Sequence, residues 1–160
     1  MAKKNSGFTL IETLIYLALF GILVAGIGAA TYAIVESAGR DQTRVTSQEE
    51  AGFLLGKLNW ALSGASSISV TASSLTVNKF SFASNPLVFD LSANKLRLKE
   101  GAGTATDLNS DAVKVINLVF TDIPAAGGKP EGVTAAFTLR STTPRGTTVD
   151  QDFQTTKYLR

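Results

Sequence analysis

KKNSGFTLIETLIYLALFGILVAGIGAATYAIV, residues 3–35, decides the architecture of this chain. Its stretch from Leu14 to Val35 holds 22 consecutive residues without a charge or a proline. Rising 1.5 Å per residue, such a helix spans roughly 33 Å, about the hydrocarbon thickness of a bilayer. Lys3 and Lys4 precede the run, and Glu36, Arg40 and Asp41 follow it. Cationic residues flanking its start predict a cytoplasmic N-terminus, with everything after Val35 outside the cytoplasm. Glu12 does not suit a plain anchor. A lone carboxylate in a membrane helix costs about 2.5–3.5 kcal/mol at mid-depth by one scale, and such groups persist mainly when paired.

Three readings compete for the segment. A signal-anchor tethering a soluble domain accounts for the apolar run but has no use for Glu12. A secretory signal peptide cut near Gly28, Ala29 and Ala30 has too long an apolar region, since these typically run about 7–15 residues. The third reading uses every feature. GFTLIE, Gly7 to Glu12, closely resembles the prepilin signature of type IV pilins and type II secretion pseudopilins. The resemblance implies cleavage between Gly7 and Phe8 by a prepilin peptidase, N-methylation of the new terminus at Phe8, and an assembly role for Glu12. It also implies that the apolar segment is kept as the start of the mature protein. The α-amino group released on Phe8 would be a cation at the edge of an apolar medium. Glu12, near the positive end of the helix dipole, would pair with that amine on a neighbouring subunit. A buried ion pair is weak as a stabiliser but serves well as a register device.

Gly21, Ala25 and Ala29 recur at four-residue spacing, as do Gly26 and Ala30. Small-xxx-small faces permit close helix approach in membranes, although Gly is common in transmembrane helices in any case. The chain departs from many pilins in having no proline before Pro86, so local melting of this helix is not carried over.

Composition narrows the remaining chemistry. The 160 residues make one domain, or one domain and an anchor. Cysteine and histidine are both absent. This removes disulfides, thiolate sites and the commonest general base and metal ligand. Lys3 and Lys4 account for the whole net charge of +2; without them, 13 cationic residues face 13 anionic ones. The basicity is thus an N-terminal feature.

Beyond Val35 the helical pattern continues to about Leu62, with Ala51, Leu55, Leu58 and Leu62 on one face and Phe53 and Trp60 widening the stripe. Gly52 and Gly56 each cost about 1 kcal/mol against Ala, which predicts close packing there. Gly64 and Ser66–Ser67 predict the helix end. A helix from Phe8 to Leu62 would be roughly 80 Å long. After Ser66 the apolar period becomes two. Ile68 and Val70, Leu75 and Val77, Leu87, Phe89 and Leu91, and Leu96 and Leu98 read as strands. Phe80 and Phe82 continue the second run with a phase slip near Asn78. VKVINLVF, 113–120, is apolar on both faces and predicts a central strand. Val133, Ala135, Phe137 and Leu139 form another strand, and 149–160 a weaker one. The expected fold is α+β: a long N-terminal helix, its first half transmembrane, packed on one C-terminal antiparallel β-sheet of five to seven strands. That agrees with the pilin lollipop. The expected segments are a leader at 1–7, a transmembrane or filament-core half at 8–35, an extracytoplasmic half at 36–63 and the sheet domain at 66–160.

A site within the sheet domain is not legible. Asp107, Asp111, Asp122 and Glu131 are scattered, and calcium needs six to eight converging oxygens. Lys95, Arg97 and Lys99, or Arg140 with Arg145, form basic stripes without the interleaved aromatics on which bases stack, so nucleic acid is not expected. Nor is a metal or cofactor expected; histidine, the usual base for a serine nucleophile, is absent, and no Ser–Lys or carboxylate constellation is legible in its place. The resemblance therefore implies a structural subunit, not an enzyme, with other subunits, the peptidase, an inner-membrane assembly platform and membrane lipid as partners. The absence of a disulfide, and a closing FQTTKYLR that loosely resembles the last strand of certain minor pilins, lean toward a minor subunit. The alternative is a non-polymerising, membrane-anchored adhesin or DNA-uptake receptor. Loops 100–111 and 124–132 are the expected partner contacts.

Overall fold

The structure, a computed structural model, describes residues 9–128 and 130–159. The chain divides into two compact units, residues 1–39 and 40–160. One helix, α1 (Leu10–Leu62), contributes to both. In the first unit it is bare. Every residue from Leu10 to Val35 is solvent-exposed apart from the half-buried Glu12, and the helix is long and apolar enough to cross a membrane.

In the second unit α1 buries a stripe of Thr43, Ser47, Ala51, Leu54, Leu58, Ala61 and Leu62. Gly64, at φ +76°, ends the helix where the sequence predicts, because a left-handed residue past the last turn suits glycine. Phe53 and Trp60 do not widen the stripe: they are 49% and 40% exposed. At 3.6 residues per turn they fall roughly 120° and roughly 140° from its centre. The expectation for Gly52 and Gly56 also fails. A Cβ at either would meet nothing within 4 Å, because both lie on the side away from the sheets.

Eight antiparallel strands follow: β1 (Ala65–Val70), β2 (Ser74–Lys79), β3 (Leu87–Ser92), β4 (Lys95–Glu100), β5 (Thr106–Asp107), β6 (Val113–Ile123), β7 (Gly132–Thr142) and β8 (Thr148–Tyr158). They form two sheets where the sequence suggests one, with orders β1-β2-β3-β4-β5 and β6-β7-β8. The break has a physical cause. After the two-residue β5, the side chain of Asn109 replaces a strand: its Oδ1 accepts the Leu96 N–H at 2.8 Å. Its Nδ2 donates to the Val113 carbonyl at 2.6 Å and to that of Asn94 at 3.3 Å. Val115 N–H then donates to Asn94 O at 3.0 Å, so the second sheet starts beside the β3–β4 turn. Loop 100–111 is therefore partly built into the fold, with Asn109 only 4% exposed.

Two local expectations change. The slip near Asn78 is real, but the extra residue is Ser66 of β1, opposite Asn78 and Lys79. The second strand stops at Lys79, and Phe80 and Phe82 lie in the following turn, where Ser81 has φ +51°. VKVINLVF is an edge strand; β7 is central. A bulge at Ile116 switches phase, so Val113 and Val115 before it and Leu118 and Phe120 after it all face the core. One buried face thus looks like two.

The core joins α1 to both sheets through Leu54, Leu58, Phe89, Leu96, Phe137 and Leu139, among others. One polar contact crosses it. The hydroxyls of Ser47 on α1 and Ser141 on β7 lie 2.6 Å apart, with Ser47 fully buried. Ser47→Ala strands a buried hydroxyl and is expected to cost about 1–3 kcal/mol, whereas the double change with Ser141→Ala should recover most of the loss. Chemical denaturation of the four variants checks this; additive losses would show that the bond contributes little.

Candidate functional site

Thr9 immediately precedes α1, and Glu12 occupies its first turn. The Glu12 N–H approaches Thr9 Oγ1 at 3.4 Å, so Thr9 acts as the N-cap of the helix. Thr9-x-x-Glu12 has the spacing of a capping box, yet the Glu12 carboxylate takes a different partner. Tyr16, one turn on, donates its hydroxyl to Glu12 Oε1 at 3.2 Å. The carboxylate is thus held to its own helix by one hydrogen bond, with further acceptor positions on its two oxygens. Thr9 and Tyr16 are absent from the sequence-derived site, although the capping spacing and the i,i+4 relation were both there to read.

Gly7 and Phe8, the expected cleavage and methylation positions, lie outside the described residues. Gly21, Ala25 and Ala29 sit on α1, all exposed, and a Cβ at Gly21 would meet nothing within 4 Å.

The exposed aromatics of the second unit gather cations. Lys57 Nζ lies 5.7 Å from the ring centroids of both Phe53 and Trp60. Lys79 Nζ sits 4.3 Å over Trp60 and donates to its carbonyl at 2.7 Å, which helps to cap the last turn of α1. Phe82 meets Trp60 edge-on at 5.8 Å.

Much of the basic stripe is internally paired. Arg97 grips Asp90 through two bonds of 2.8 and 2.9 Å, and Arg140 grips Asp150 through two of 2.7 and 2.6 Å. Lys95 meets Asp111 at 2.7 Å. Hydrogen bonding to Arg140 holds the Asp150 carboxyl below its ordinary pKa, and hydrogen bonding to Lys95 does the same for Asp111. Among the described residues no group of three acidic side chains converges as a metal site would require.

The geometry defines an exposed apolar helix, with one carboxylate in its first turn, leading into an α+β domain. Comparison with known families then gives a match to the prokaryotic N-terminal methylation motif over residues 2–28. The match covers the N-terminal segment alone, the stretch on which the resemblance to type IV pilins and pseudopilins also rests. No curated protein and no solved structure matches the chain.

Proposed function

We propose that this protein is a structural subunit of a type IV pilus or type II secretion pseudopilus. It is inserted in the cytoplasmic membrane as a prepilin, cleaved after Gly7 and N-methylated on Phe8. The methylation motif carries the reading, and the exposed apolar helix supports it. Lys3 and Lys4 keep the leader in the cytoplasm, where the chain meets the peptidase, and the domain after Val35 lies outside. Cleavage spares Thr9, so the mature helix keeps its cap. The Phe8 amine of one subunit pairs with Glu12 of the next and sets axial register, while the open positions at Gly21, Ala25 and Ala29 admit a neighbouring helix. A minor subunit is favoured over a major one by the missing disulfide and the closing FQTTKYLR.

Mass spectrometry of the N-terminal peptide, from protein made in its own cells, tests the proposal. A chain starting at Phe8 and carrying one added methyl group is expected. A chain starting at Met1 or Ala2 reduces the helix to an anchor, and one starting near Tyr32 means ordinary secretion; both sink the proposal.

A further inference from the structure

The sheet β6-β7-β8 turns one face to α1 and the core and the other to solvent. Ser141 on β7 meets Ser47 of α1, and Phe137 and Leu139 are buried on that same side. The alternate residues of β7 therefore point away from α1. Strand register sets Tyr158 beside Gly132, Thr156 beside Thr134 and Thr121, and Gln154 beside Ala136. No charge stands among these residues. The first is Asp152 in the next row, whose carboxylate accepts the Thr138 hydroxyl at 2.6 Å.

Tyr158 is placed with care at one end of this field. A Cβ on Gly132 would meet Tyr158 Cδ1 at 2.8 Å, so the ring leans over the glycine in space that any other residue would fill. Yet Tyr158 is 41% exposed, which leaves much of its ring open to solvent. The hydroxyls of Thr134 and Thr156 lie 2.9 Å apart. They share one O–H between them and keep the other, with spare lone pairs, for a ligand. At the far end the face deepens into an open hollow of about 390 Å³, bordered by Thr138, Asp152 and Gln154 among others.

We infer that this face binds a neutral, equatorially linked polysaccharide, one pyranose ring stacked on Tyr158 and the following sugars lying over Thr156 and Gln154 toward Asp152. The C–H bonds of a pyranose face carry partial positive charge and settle on the negative face of an aromatic ring. Sugar hydroxyls both donate and accept, as do the threonine hydroxyls and the Gln154 amide. From Tyr158 to Asp152 the strand runs roughly 20 Å, room for several sugars of an extended chain. Charge selects the class. No cation lies here to meet a phosphate, sulfate or uronate, and Asp152 repels one. A lipid surface asks for a broad apolar patch, whereas hydroxyl and amide groups interrupt this one. Because the face lies across the sheet from α1, it stays open when helices pack together in the proposed filament. That accessibility rests on the filament reading; the binding itself does not.

Full-length protein, held in a zwitterionic detergent without a sugar headgroup, is mixed with cellulose or chitin beads and competed with cellohexaose or chitohexaose. Retention and displacement by the matching hexaose are expected. Tyr158→Ala should weaken binding about tenfold, and Tyr158→Phe, which keeps the ring, should bind as wild type. Phe53→Ala, at an exposed aromatic on α1, should change nothing. If Tyr158→Ala lowers the amount of folded protein, Ala136→Glu serves instead: it sets a carboxylate in the path of the sugars, away from the core, and should abolish retention. Failure of the wild type to bind either bead, retention that survives these changes, loss with Phe53→Ala, or equal displacement by a heparin fragment would overturn the proposal. Since the N-terminal peptide is not read in this assay, its result stands apart from that of processing.

Discussion

Glu12→Ala is expected to abolish filament incorporation while leaving membrane insertion intact. The change lengthens the apolar run, so insertion has nothing to lose. In the proposed assembly, what it removes is the partner of the Phe8 amine of a neighbouring subunit. An unpaired charge at membrane depth costs about 2.5–3.5 kcal/mol, and 1.4 kcal/mol is a factor of about ten. Incorporation should therefore fall on the order of a hundredfold, measured as the ratio of sheared filament to membrane-bound subunit. Glu12→Gln separates the two roles of this side chain. Glutamine keeps an acceptor for the Tyr16 hydroxyl, which stands 3.2 Å from Glu12 Oε1, but carries no charge. If the charge sets register, Gln fails as badly as Ala. Recovery with Gln would reduce Glu12 to a local brace, and wild-type incorporation with Ala would favour a non-polymerising anchor.

The second large effect is expected far from the membrane helix, at Asn109. Its side chain accepts the Leu96 N–H and donates to the Val113 carbonyl from a site only 4% exposed. Asn109→Ala leaves both backbone groups without their partner at the junction of the two sheets. A buried unsatisfied group costs about 1–3 kcal/mol, so a loss of ~3 kcal/mol and of ~10 °C in Tm follows. Asn109→Asp keeps the acceptor but loses the donor and should recover only part. Thermal unfolding by circular dichroism decides it. A wild-type Tm for Asn109→Ala would mean that the junction is held by β-strand packing alone.

These two residues show where the sequence is readable. Glu12 stands out because an uninterrupted apolar run makes any charge conspicuous and because its distance from Gly7 is fixed along the chain. Asn109 sits in a polar, glycine-containing stretch that looks like a surface loop. Its partners Leu96 and Asn94 lie 13 and 15 positions away, and no periodicity reports on side-chain bonds of that reach. The strand β8 is faint in the sequence for a related reason: its polar residues weaken the alternation, and pairing with β7 supplies the order that its own pattern lacks.

The sequence by itself determined what local periodicity and composition encode. These are the apolar helix, its end at Gly64, the change from period 3.6 to period two, and most of the core residues, Leu87, Phe89, Val133, Ala135, Phe137 and Leu139 among them, all buried as expected. Tertiary structure alone decided how those pieces meet. Two sheets form in place of one because a side chain interrupts the ladder at β4. VKVINLVF became an edge because alternation records which residues face the core and not which strand lies beside them. Phe53 and Trp60 stayed outside because hydrophobicity marks candidates for burial, while the face that packs is set by the elements it packs against.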